Sequence, residues 1–428
     1  MKSRQAKHLH QLLGRRLIDW VLAAAGKLKP DPLVVVTSPE SRDAFDGTLP
    51  PGALLALQEE PRGTGDAAAA ARAVLEGFRG DVLVLAGDAP LLSAEELQAL
   101  VETHRSEQAA VTVLSFVTDE PGAYGRVLRD EEGRLAGIVE ARDATPEELE
   151  TREVNSSIYV FRADDLWNGL ARLDTNNAQG ELYLTDAVRH LADDGRRAAV
   201  YRAKDPRVGV GVNTRADLAA AGAELRDQIV HRLMESGVTV VDPTSTWIEP
   251  DVQIEPDVVI HPFTVLRGRT VVRMGAEVGP HVVTVDADIG EGVKVGPFCY
   301  LRPGTVLAQG AKAGTFVEIK NSRIGEGTKV PHLSYVGDAD IGAGTNIGAG
   351  AITANYPHQP GRGKGRTSIG RNVRTGIHNG FEAPVTIGDG AWIGGGSYIT
   401  EDVPPESLAI ARSRQVTKEG YLRGKRND

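Results

Sequence analysis

The chain of 428 residues contains few of the features that cross-link a protein or anchor it to a membrane. Its single cysteine, Cys299, excludes an internal disulfide framework and suits a reducing compartment. No apolar run approaches the roughly eighteen residues of a membrane-spanning helix, and no signal-peptide segment follows the basic start. The net charge of −10 disfavours a nucleic-acid-binding surface. We therefore expect a cytoplasmic protein with no nucleic-acid or membrane partner.

Aromatic residues are also scarce, at 5%, whereas glycine occurs 49 times. This combination favours a repetitive, turn-rich architecture in part of the chain, and a six-residue period does begin at Ile248. Aliphatic residues recur at Ile248, Ile254, Ile260, Leu266, Val272 and Val278, then at Ile289, Val295, Leu301, Leu307 and Ala313, and later at Ile324, Val330, Val336, Ile387, Ile393 and Ile399. The period predicts a parallel β-helix of hexapeptide repeats over residues 241–428, interrupted by an insertion at 351–368.

The first half of the chain follows a different pattern, in which short apolar runs alternate with helical stretches. The runs at 32–38, 53–58, 81–88 and 110–116 predict buried strands, and 66–78 and 93–104 predict helices, the second capped by Ser93 with Glu96 in the capping-box position. A further helical pattern begins at Leu9. This alternation predicts an α/β domain over 1–212 with a largely parallel sheet, followed by a linker helix within 213–240.

Several motifs of the first half have the chemistry needed to bind a nucleotide and a sugar phosphate. PRGTGDA (61–67) places a Gly-rich turn before a helix, and LVLAGDAPLL (83–92) ends a strand at Asp88, where a carboxylate could bind Mg²⁺. Each could equally be an ordinary turn. They are followed by YGRV (124–127), IVEARDAT (138–145), VNSSIYVF (154–161), NNAQGELYLTD (176–186) and GVGVN (209–213).

The repeat region carries a second set of motifs: GPFCYLRPG (296–304), GTFVEIKNS (314–322), HLSYVGD (332–338) and NIGAGAITANY (346–356). Among them, His332 is of the residue type best suited to act as a general base, although a histidine in an exposed turn is the alternative. Arg302 and Lys320 interrupt apolar repeats, which favours a function over the alternative of solvated surface charges.

In this order the motifs resemble the GlmU family of bifunctional N-acetylglucosamine-1-phosphate uridylyltransferases and glucosamine-1-phosphate N-acetyltransferases, over nearly the whole chain. The resemblance implies an α/β nucleotidyltransferase (Rossmann-like) domain and a left-handed parallel β-helix. It also implies a homotrimer, Mg²⁺ as cofactor, UTP and acetyl-CoA as co-substrates, and glucosamine 1-phosphate and N-acetylglucosamine 1-phosphate as the other substrates.

The resemblance also assigns a role to individual positions. It implies His332 as the catalytic base and Asp88 and Asn213 as metal ligands. Among the residues that it implies for binding UTP and the sugar phosphate, Lys7 faces phosphates and Gln58, Gly63 and Thr64 contact the uracil. Gly125, Glu140 and Asn155 bind the N-acetylglucosamine 1-phosphate portion, and Asn213 also belongs to this set. Binding of the acetyl acceptor falls to Arg302, Lys320, Tyr335, Asn346 and Lys364, and binding of acetyl-CoA to Ala349, Asn355, Tyr356, Gly394 and Arg412. The sequence departs from the family pattern at Ala6, Asp66, Ser156, Ser157, Ile377 and Gly394, and in the longer loop around Lys364.

In the family, a strand and a Gly-rich loop precede the segment that matches Met1–His10. Either the natural protein begins upstream of Met1 or the loop has been lost, and for the chain as written we expect weak or absent uridylyl transfer. One alternative function is an acetyltransferase with an inactive first domain, and another is a non-catalytic trimeric scaffold or ligand sensor. A glucose-1-phosphate nucleotidyltransferase is disfavoured by HLSYVGD and NIGAGAITANY.

Overall fold

The computed structural model describes residues 1–356 and 363–423, which form two compact units, Met1–Glu224 and Leu225–Asp428. The dividing point lies within one helix, Arg215–Glu235, so the helix predicted as a linker contributes residues to both units. In the described ranges, no helix has both the length and the apolar character that crossing a bilayer requires. The α-helices are α1 (Leu17–Gly26), α2 (Thr64–Ala70), α3 (Ala94–Ser106), α4 (Pro146–Leu149), α5 (Ala163–Leu170), α6 (Leu184–Asp193) and α7 (Arg215–Glu235).

The strands of the first unit form one larger sheet, a separate parallel pair and a hairpin. They are β1 (Gln11–Leu12), β2 (Arg15–Arg16), β3 (Val34–Thr37), β4 (Leu54–Leu57), β5 (Asp81–Val84), β6 (Val111–Val117), β7 (Arg126–Arg129), β8 (Leu135–Val139), β9 (Glu153–Arg162) and β10 (Ala198–Arg202). The larger sheet has the order β10-β6-β9-β7-β8, with β5 also paired to β9. Within the part of the chain that the structure describes, the parallel strands β3 and β4 pair only with each other, and β1 and β2 form the hairpin.

The prediction of a largely parallel sheet is wrong for the larger sheet, where most neighbouring strands are antiparallel, β7 and β8 among them. Strand β9 runs antiparallel to β5, β6 and β7, whereas β10 and β6 are parallel. Because β9 is buried on both faces along most of its length, its apolar pattern does not reveal its direction. Apolar side chains of α1 and α3 pack on one face of the sheet and those of α5 and α6 on the other, as expected for an α/β domain.

Helix boundaries in this unit differ from the predicted ones. The pattern that begins at Leu9 becomes helical only at Leu17, because Leu13 and Gly14 both have positive φ and close the β1–β2 hairpin first. Helix α2 ends at Ala70, earlier than the predicted residue 78. Ser93 does cap α3, its hydroxyl accepting from the Glu96 amide at 3.1 Å. The Glu96 carboxylate, however, accepts from the Tyr201 hydroxyl at 2.6 Å, and no capping box forms.

The second unit is a parallel β-helix built from short strands. In chain order, β11 to β36 are Thr239–Val240, Trp247–Ile248, Gln253–Ile254, Val259–Ile260, Val265–Arg267, Val271–Val272, Glu277–Val278, Val283–Val285, Asp288–Ile289, Lys294–Val295, Tyr300–Leu301, Val306–Leu307, Lys312–Thr315, Glu318–Lys320, Arg323–Ile324, Lys329–His332, Tyr335–Gly337, Ala339–Ile341, Ile352–Ala354, Thr367–Ile369, Arg374–Thr375, Gly380–Glu382, Val385–Ile387, Trp392–Ile393, Tyr398–Ile399 and Leu408–Ala409. Every third strand of the regular coils joins the same parallel sheet.

The predicted six-residue period is confirmed by the register of these sheets. Val265 pairs with Val283, one coil of 18 residues further on, and the inward-pointing Leu266 and Leu301 are fully buried. The predicted insertion is also present, since Ile352 pairs with Gly380, 28 residues further on. Regular pairing therefore resumes after the inserted segment, of which residues 357–362 lie outside the described part of the chain.

One corner of the β-helix carries a row of stacked rings, which we call the aromatic ladder: Phe263, His281, Phe298 and Phe316. Successive ring centroids lie 4.7, 4.7 and 5.1 Å apart, with interplanar angles of 7°, 5° and 15°. All four residues have a positive φ, and all four side chains are exposed. Because each coil turns at the same point, the side chains lie in a column along the outside of the fold.

Candidate active sites

A lysine, an aspartate and an asparagine from three separate segments meet in the first unit. Lys7 lies in a short 3-10 turn, Asp88 follows β5, and Asn213 precedes α7. The Lys7 ammonium forms an ion pair with Asp88 and donates to Asn213 Oδ1 at 2.8 Å. The Val212 amide donates to the Asp88 carbonyl at 2.9 Å, which fixes the two segments side by side.

This cluster provides a test of the predicted magnesium site. Mg²⁺ prefers oxygen ligands, of which a protein often supplies one or two together with substrate phosphates. Asp88 and Asn213 each point an oxygen at the same cation, the Lys7 ammonium. The two residues therefore fit the predicted role of metal ligands. In this structure the Lys7 ammonium is the positive charge that their oxygens contact.

The predicted uracil-binding residues form a second contact group around the start of α2. Gln58 Nε2 donates to the Gly63 carbonyl at 3.2 Å and to Asp66 Oδ2 at 2.9 Å. Gly63 has φ +117°, and a β-carbon there would lie 2.5 Å from the Leu182 carbonyl oxygen, so only glycine fits. The Thr64 hydroxyl accepts from the Leu184 amide at 3.0 Å and is thus engaged at the start of α6.

The predicted sugar-binding residues are brought together at β7, β8 and β9. The Asn155 amide donates to the Gly125 carbonyl at 2.9 Å, and a β-carbon at Gly125 would lie 3.5 Å from both carboxylate oxygens of Glu140. Glu140 accepts from the Thr185 hydroxyl at 3.1 Å. Burial raises the pKa of Glu140, and neighbouring acidic residues add to the effect. The Glu140 carboxylate is half-buried, whereas the Asn155 side chain is buried, donating to the Tyr159 hydroxyl at 2.7 Å and accepting from the Ser157 amide at 3.1 Å.

Tyr124 connects the sugar-binding group with the lysine–aspartate cluster. The Gly211 amide, two residues before Asn213, donates to the Tyr124 hydroxyl at 3.3 Å. Gly211 also passes close to Asp88, since a β-carbon there would lie 3.3 Å from Asp88 Oδ2. Two of the three predicted groups thus share one stretch of surface.

In the second unit, four residues of consecutive coils lie side by side on one sheet. Tyr300 pairs with Glu318, Glu318 with Tyr335 and Tyr335 with Ile352. Arg302 donates to Glu318 Oε1 at 2.9 Å, and the Tyr335 ring lies over Gly337, where a β-carbon would come within 2.4 Å of the tyrosine hydroxyl. Together with Phe298, Phe316 and Leu333, this row lines a concave surface that encloses a volume of about 490 Å³.

His332 ends the strand Lys329–His332 at the corner beside this surface, and its imidazole is exposed. Its backbone carbonyl accepts from the Ser334 hydroxyl at 2.7 Å and from the Gly350 amide at 3.2 Å. These bonds fix the backbone while the side chain remains accessible to a substrate. Asn346, another predicted acceptor residue, bridges to Lys329 in the sheet of His332 rather than in the sheet of Tyr335.

Lys320 and Asn355 converge on a residue that the sequence did not single out, Asp338. The Asn355 amide group donates to Asp338 Oδ2, and the Lys320 ammonium lies 3.9 Å from the same oxygen. Lys364 stacks over the Tyr356 ring, 5.0 Å from its centroid. Of the predicted acceptor cations, Lys320 thus lies beside a buried carboxylate, whereas Arg302 pairs with Glu318.

The predicted acetyl-CoA residues are distributed over the coils that follow. The His378 amide donates to the Ala349 carbonyl at 2.7 Å, the Asn379 side chain donates to the Gly394 carbonyl at 2.7 Å, and Arg412 lies beside Gly396. A β-carbon at Gly394 would lie 3.0 Å from Ile410, so the glycine leaves room for the neighbouring coil. These residues form a row along the β-helix beyond His332.

Besides Asp338, several residues that the sequence did not assign to a site contact predicted site residues, among them Asp66 and Thr185. The Asp66 carboxylate accepts a hydrogen bond from Gln58 Nε2, and the Thr185 hydroxyl donates one to the Glu140 carboxylate. Both Asp66 and Thr185 lie inside motifs identified in the sequence, PRGTGDA and NNAQGELYLTD. Such a motif therefore indicates that a segment contributes to a site, but not which of its residues make the contacts.

Comparison with known proteins finds relatives for both halves of the chain. Residues 2–211 match the nucleotidyl transferase family. The bifunctional protein GlmU of Thermobifida fusca is 45% identical over 451 residues, covering 100% of this chain and 92% of the relative. Those of Corynebacterium glutamicum strain ATCC 13032 and Mycobacterium tuberculosis strain H37Ra are each 44% identical over 449 residues, covering 100% of this chain and 92% and 90% of the relatives. The chain belongs to the bifunctional GlmU family.

Proposed function

We propose that the chain synthesises UDP-N-acetylglucosamine in two steps: acetylation of glucosamine 1-phosphate by acetyl-CoA, then uridylyl transfer from UTP to the product. The observation that carries this proposal is the full-length similarity to bifunctional relatives, with one cluster of candidate site residues on each unit. It favours two activities over an acetyltransferase with an inactive first domain and over a scaffold. Because both co-substrates are metabolites of the cell interior, we place the protein in the cytoplasm.

In the acetyl-transfer step, His332 acts as general base. Its imidazole accepts a proton from the amino group of glucosamine 1-phosphate, and the nitrogen attacks the thioester carbonyl carbon as the carbon–sulfur bond breaks. The coenzyme A thiolate that leaves then takes up a proton. Arg302 and Lys320 bind the phosphate and hold the amine close to the imidazole.

In the uridylyl-transfer step, a phosphate oxygen of N-acetylglucosamine 1-phosphate attacks the α-phosphorus of UTP, and pyrophosphate leaves. Asp88 and Asn213 would hold Mg²⁺, which when bound supplies positive charge to the phosphate oxygens. Lys7 binds phosphate, Glu140 and Asn155 orient the sugar, and the segment around Gln58 and Gly63 contacts the base. Positioning and charge neutralisation account for the catalysis.

Separate assays of the two half-reactions test the proposal. His332→Ala should lower acetyl transfer by about 10²- to 10⁴-fold, the usual contribution of a general base. Uridylyl transfer to supplied N-acetylglucosamine 1-phosphate should not change. His231→Ala is the matched control, because His231 is an exposed histidine on α7. Full acetyl transfer by His332→Ala would remove the base from the mechanism.

Asp88→Asn tests the other half-reaction. It should abolish magnesium-dependent uridylyl transfer and leave acetyl transfer unchanged, whereas Asp119→Asn, at an exposed surface ion pair, should alter neither. If the unmodified chain performs acetyl transfer alone, the alternative of a monofunctional acetyltransferase replaces the bifunctional proposal.

We also propose that the chain forms a homotrimer. The aromatic ladder supports this, because Phe298 and Phe316 expose about half of their side-chain surface next to the concave surface that contains Tyr300 and Tyr335. Contiguous apolar area of this kind marks interaction surfaces. A second copy that covered the ladder would lie against the candidate acetyl-acceptor residues.

A further inference from the structure

Asp338 lies at a corner of the β-helix where consecutive coils place similar residues. Asp286, Asn321 and Asp338 occupy successive non-glycine positions of this corner and have φ values of +47°, +45° and +51°. Aspartate and asparagine tolerate this left-handed backbone better than most residues. Because Asn321 adopts the same backbone conformation at the equivalent position one coil earlier, the turn itself does not require a carboxylate at position 338.

The Asp338 side chain is nevertheless buried, at 8% exposure, whereas Asp286 is exposed. Asn321 Nδ2 donates to Asp338 Oδ1 at 2.5 Å, and Asn355 Nδ2 donates to Asp338 Oδ2. The Lys320 ammonium lies 3.9 Å from Oδ2. Each carboxylate oxygen therefore has a donor from a neighbouring coil.

These contacts keep the carboxylate ionised. Burial alone raises the pKa of Asp338, but the bonds from Asn321 and Asn355 and the charges of Lys320 and Lys364 outweigh it, so its pKa lies below the ordinary value. A buried charge is costly unless it is paired and hydrogen-bonded. Its partners include two cations and an asparagine that belong to the candidate acetyl-transfer site.

We propose that Asp338 is a positioning residue for the acetyl acceptor, holding the Lys320 ammonium where it meets glucosamine 1-phosphate. The inference rests on the proposed acetyl-transfer function. In this role Asp338 does not take part in the reaction itself but acts through the Lys320 side chain that it orients. A carboxylate has two acceptor oxygens, whereas the amide of an asparagine has only one, so the substitution removes an acceptor as well as the charge.

The test compares Asp338→Asn with Asp286→Asn, the same substitution at the same kind of corner. Asp338→Asn should raise the KM for glucosamine 1-phosphate by about tenfold, the loss expected for one charge-assisted contact. Its KM for acetyl-CoA and its thermal midpoint should stay close to those of the unmodified chain. Asp286→Asn should leave both KM values unchanged.

A double-mutant cycle with Lys320→Met separates positioning from a general structural role. If Asp338 acts through Lys320, the double variant should be no worse than Lys320→Met alone in its KM for glucosamine 1-phosphate. Additive effects, or an unchanged KM in Asp338→Asn, would overturn the inference. So would a variant whose two KM values and thermal midpoint all shift together, because that is the result of structural damage.

Calorimetric titration with glucosamine 1-phosphate distinguishes failure of this inference from failure of the proposed function. If the unmodified chain binds the sugar phosphate but shows no acetyl transfer, the proposed function is wrong, yet tenfold weaker binding by Asp338→Asn still supports the positioning role. If the unmodified chain transfers acetyl groups and both forms bind equally, the proposed function holds and the positioning role is wrong.

Discussion

At the scale of single residues, the Lys7 ammonium lies where a metal ion would be expected to bind. It contacts both Asp88 and Asn213, so a divalent cation must displace it to reach the two oxygens. A partly exposed ion pair contributes up to about 1 kcal/mol. We therefore expect Lys7→Met to bind Mn²⁺ about two- to fivefold more tightly in the absence of nucleotide.

Electron paramagnetic resonance of free Mn²⁺ measures this affinity without any assay of activity. Lys2→Met, at an exposed lysine close by in sequence, should bind the ion like the unmodified chain. Equal or weaker binding by Lys7→Met would show that the lysine and the metal do not compete for Asp88 and Asn213.

The environment of Glu153, at the start of β9, leads us to expect that the stability of the first unit depends on pH. Burial opposes its ionisation, but hydrogen bonds from Arg129, Ser115 and Arg202 lower its pKa from 4.5 to about 2. A carboxylate whose pKa is lower in the folded state stabilises the fold above the unfolded-state pKa, and this stabilisation is lost as the pH falls toward about 2.

Glu153→Gln should therefore lower the free energy of unfolding of the first unit by about 2 kcal/mol at neutral pH. The difference between the variant and the unmodified chain should shrink as the pH falls from about 4.5 to about 2. Urea titrations followed by tryptophan fluorescence at several pH values measure it. A difference that stays constant over this range would contradict the assigned cause.

The resemblance to the GlmU family identified most of the candidate site, because it assigned roles to individual charged and polar residues. Lys7, Asp88 and Asn213 were all named from the sequence and do meet. Asp338 was missed because the sequence cannot show which of several corner residues has a buried carboxylate. The Thr64 hydroxyl was expected to face a ligand, yet it accepts from the Leu184 amide, a contact between residues 120 positions apart.

At the scale of secondary-structure elements, the six-residue period decides which side chains stabilise the β-helix. Leu266 is fully buried in its strand, whereas Met274, at the next turn, is about half exposed. Leu266→Ala should lower the free energy of unfolding by about 2–5 kcal/mol, the range for a leucine removed from a packed core. Met274→Ala should change it by less than about 0.5 kcal/mol. Equal effects of the two substitutions in denaturant titrations would contradict the conclusion that the inward-facing aliphatic residues stabilise the β-helix.

Repeats are easier to predict from sequence than single elements because each coil repeats the same signal. From the pairing of Ile248 with Leu266 to that of Ile324 with Ile341, the register of the coils follows the aliphatic spacing. In the first unit each strand occurs once, and tertiary contacts decide its direction and ends. The antiparallel course of β9 and the hairpin before α1 depend on such contacts and could not be predicted from local patterns.

At the scale of the whole molecule, the proposed trimer predicts a change of mass. Phe298→Ser combined with Phe316→Ser removes two rings of the aromatic ladder and should convert the trimer into smaller species by size-exclusion chromatography with light scattering. Trp392→Ser, at an exposed tryptophan elsewhere in the β-helix, is the control and should remain trimeric. If the double variant has the same molecular mass in solution as the unmodified chain, the trimer interface lies outside the aromatic ladder.

The separate pairing of β3 and β4 has a consequence for how the molecule opens. An isolated two-stranded sheet is only marginally stable, whereas β6 and β9 lie inside a larger sheet with buried faces. Native-state hydrogen exchange should therefore proceed in at least two steps in the first unit. Amides of Leu54–Leu57 that bond to β3 should exchange through local opening, long before those of β6 and β9, which should exchange only when the whole unit unfolds.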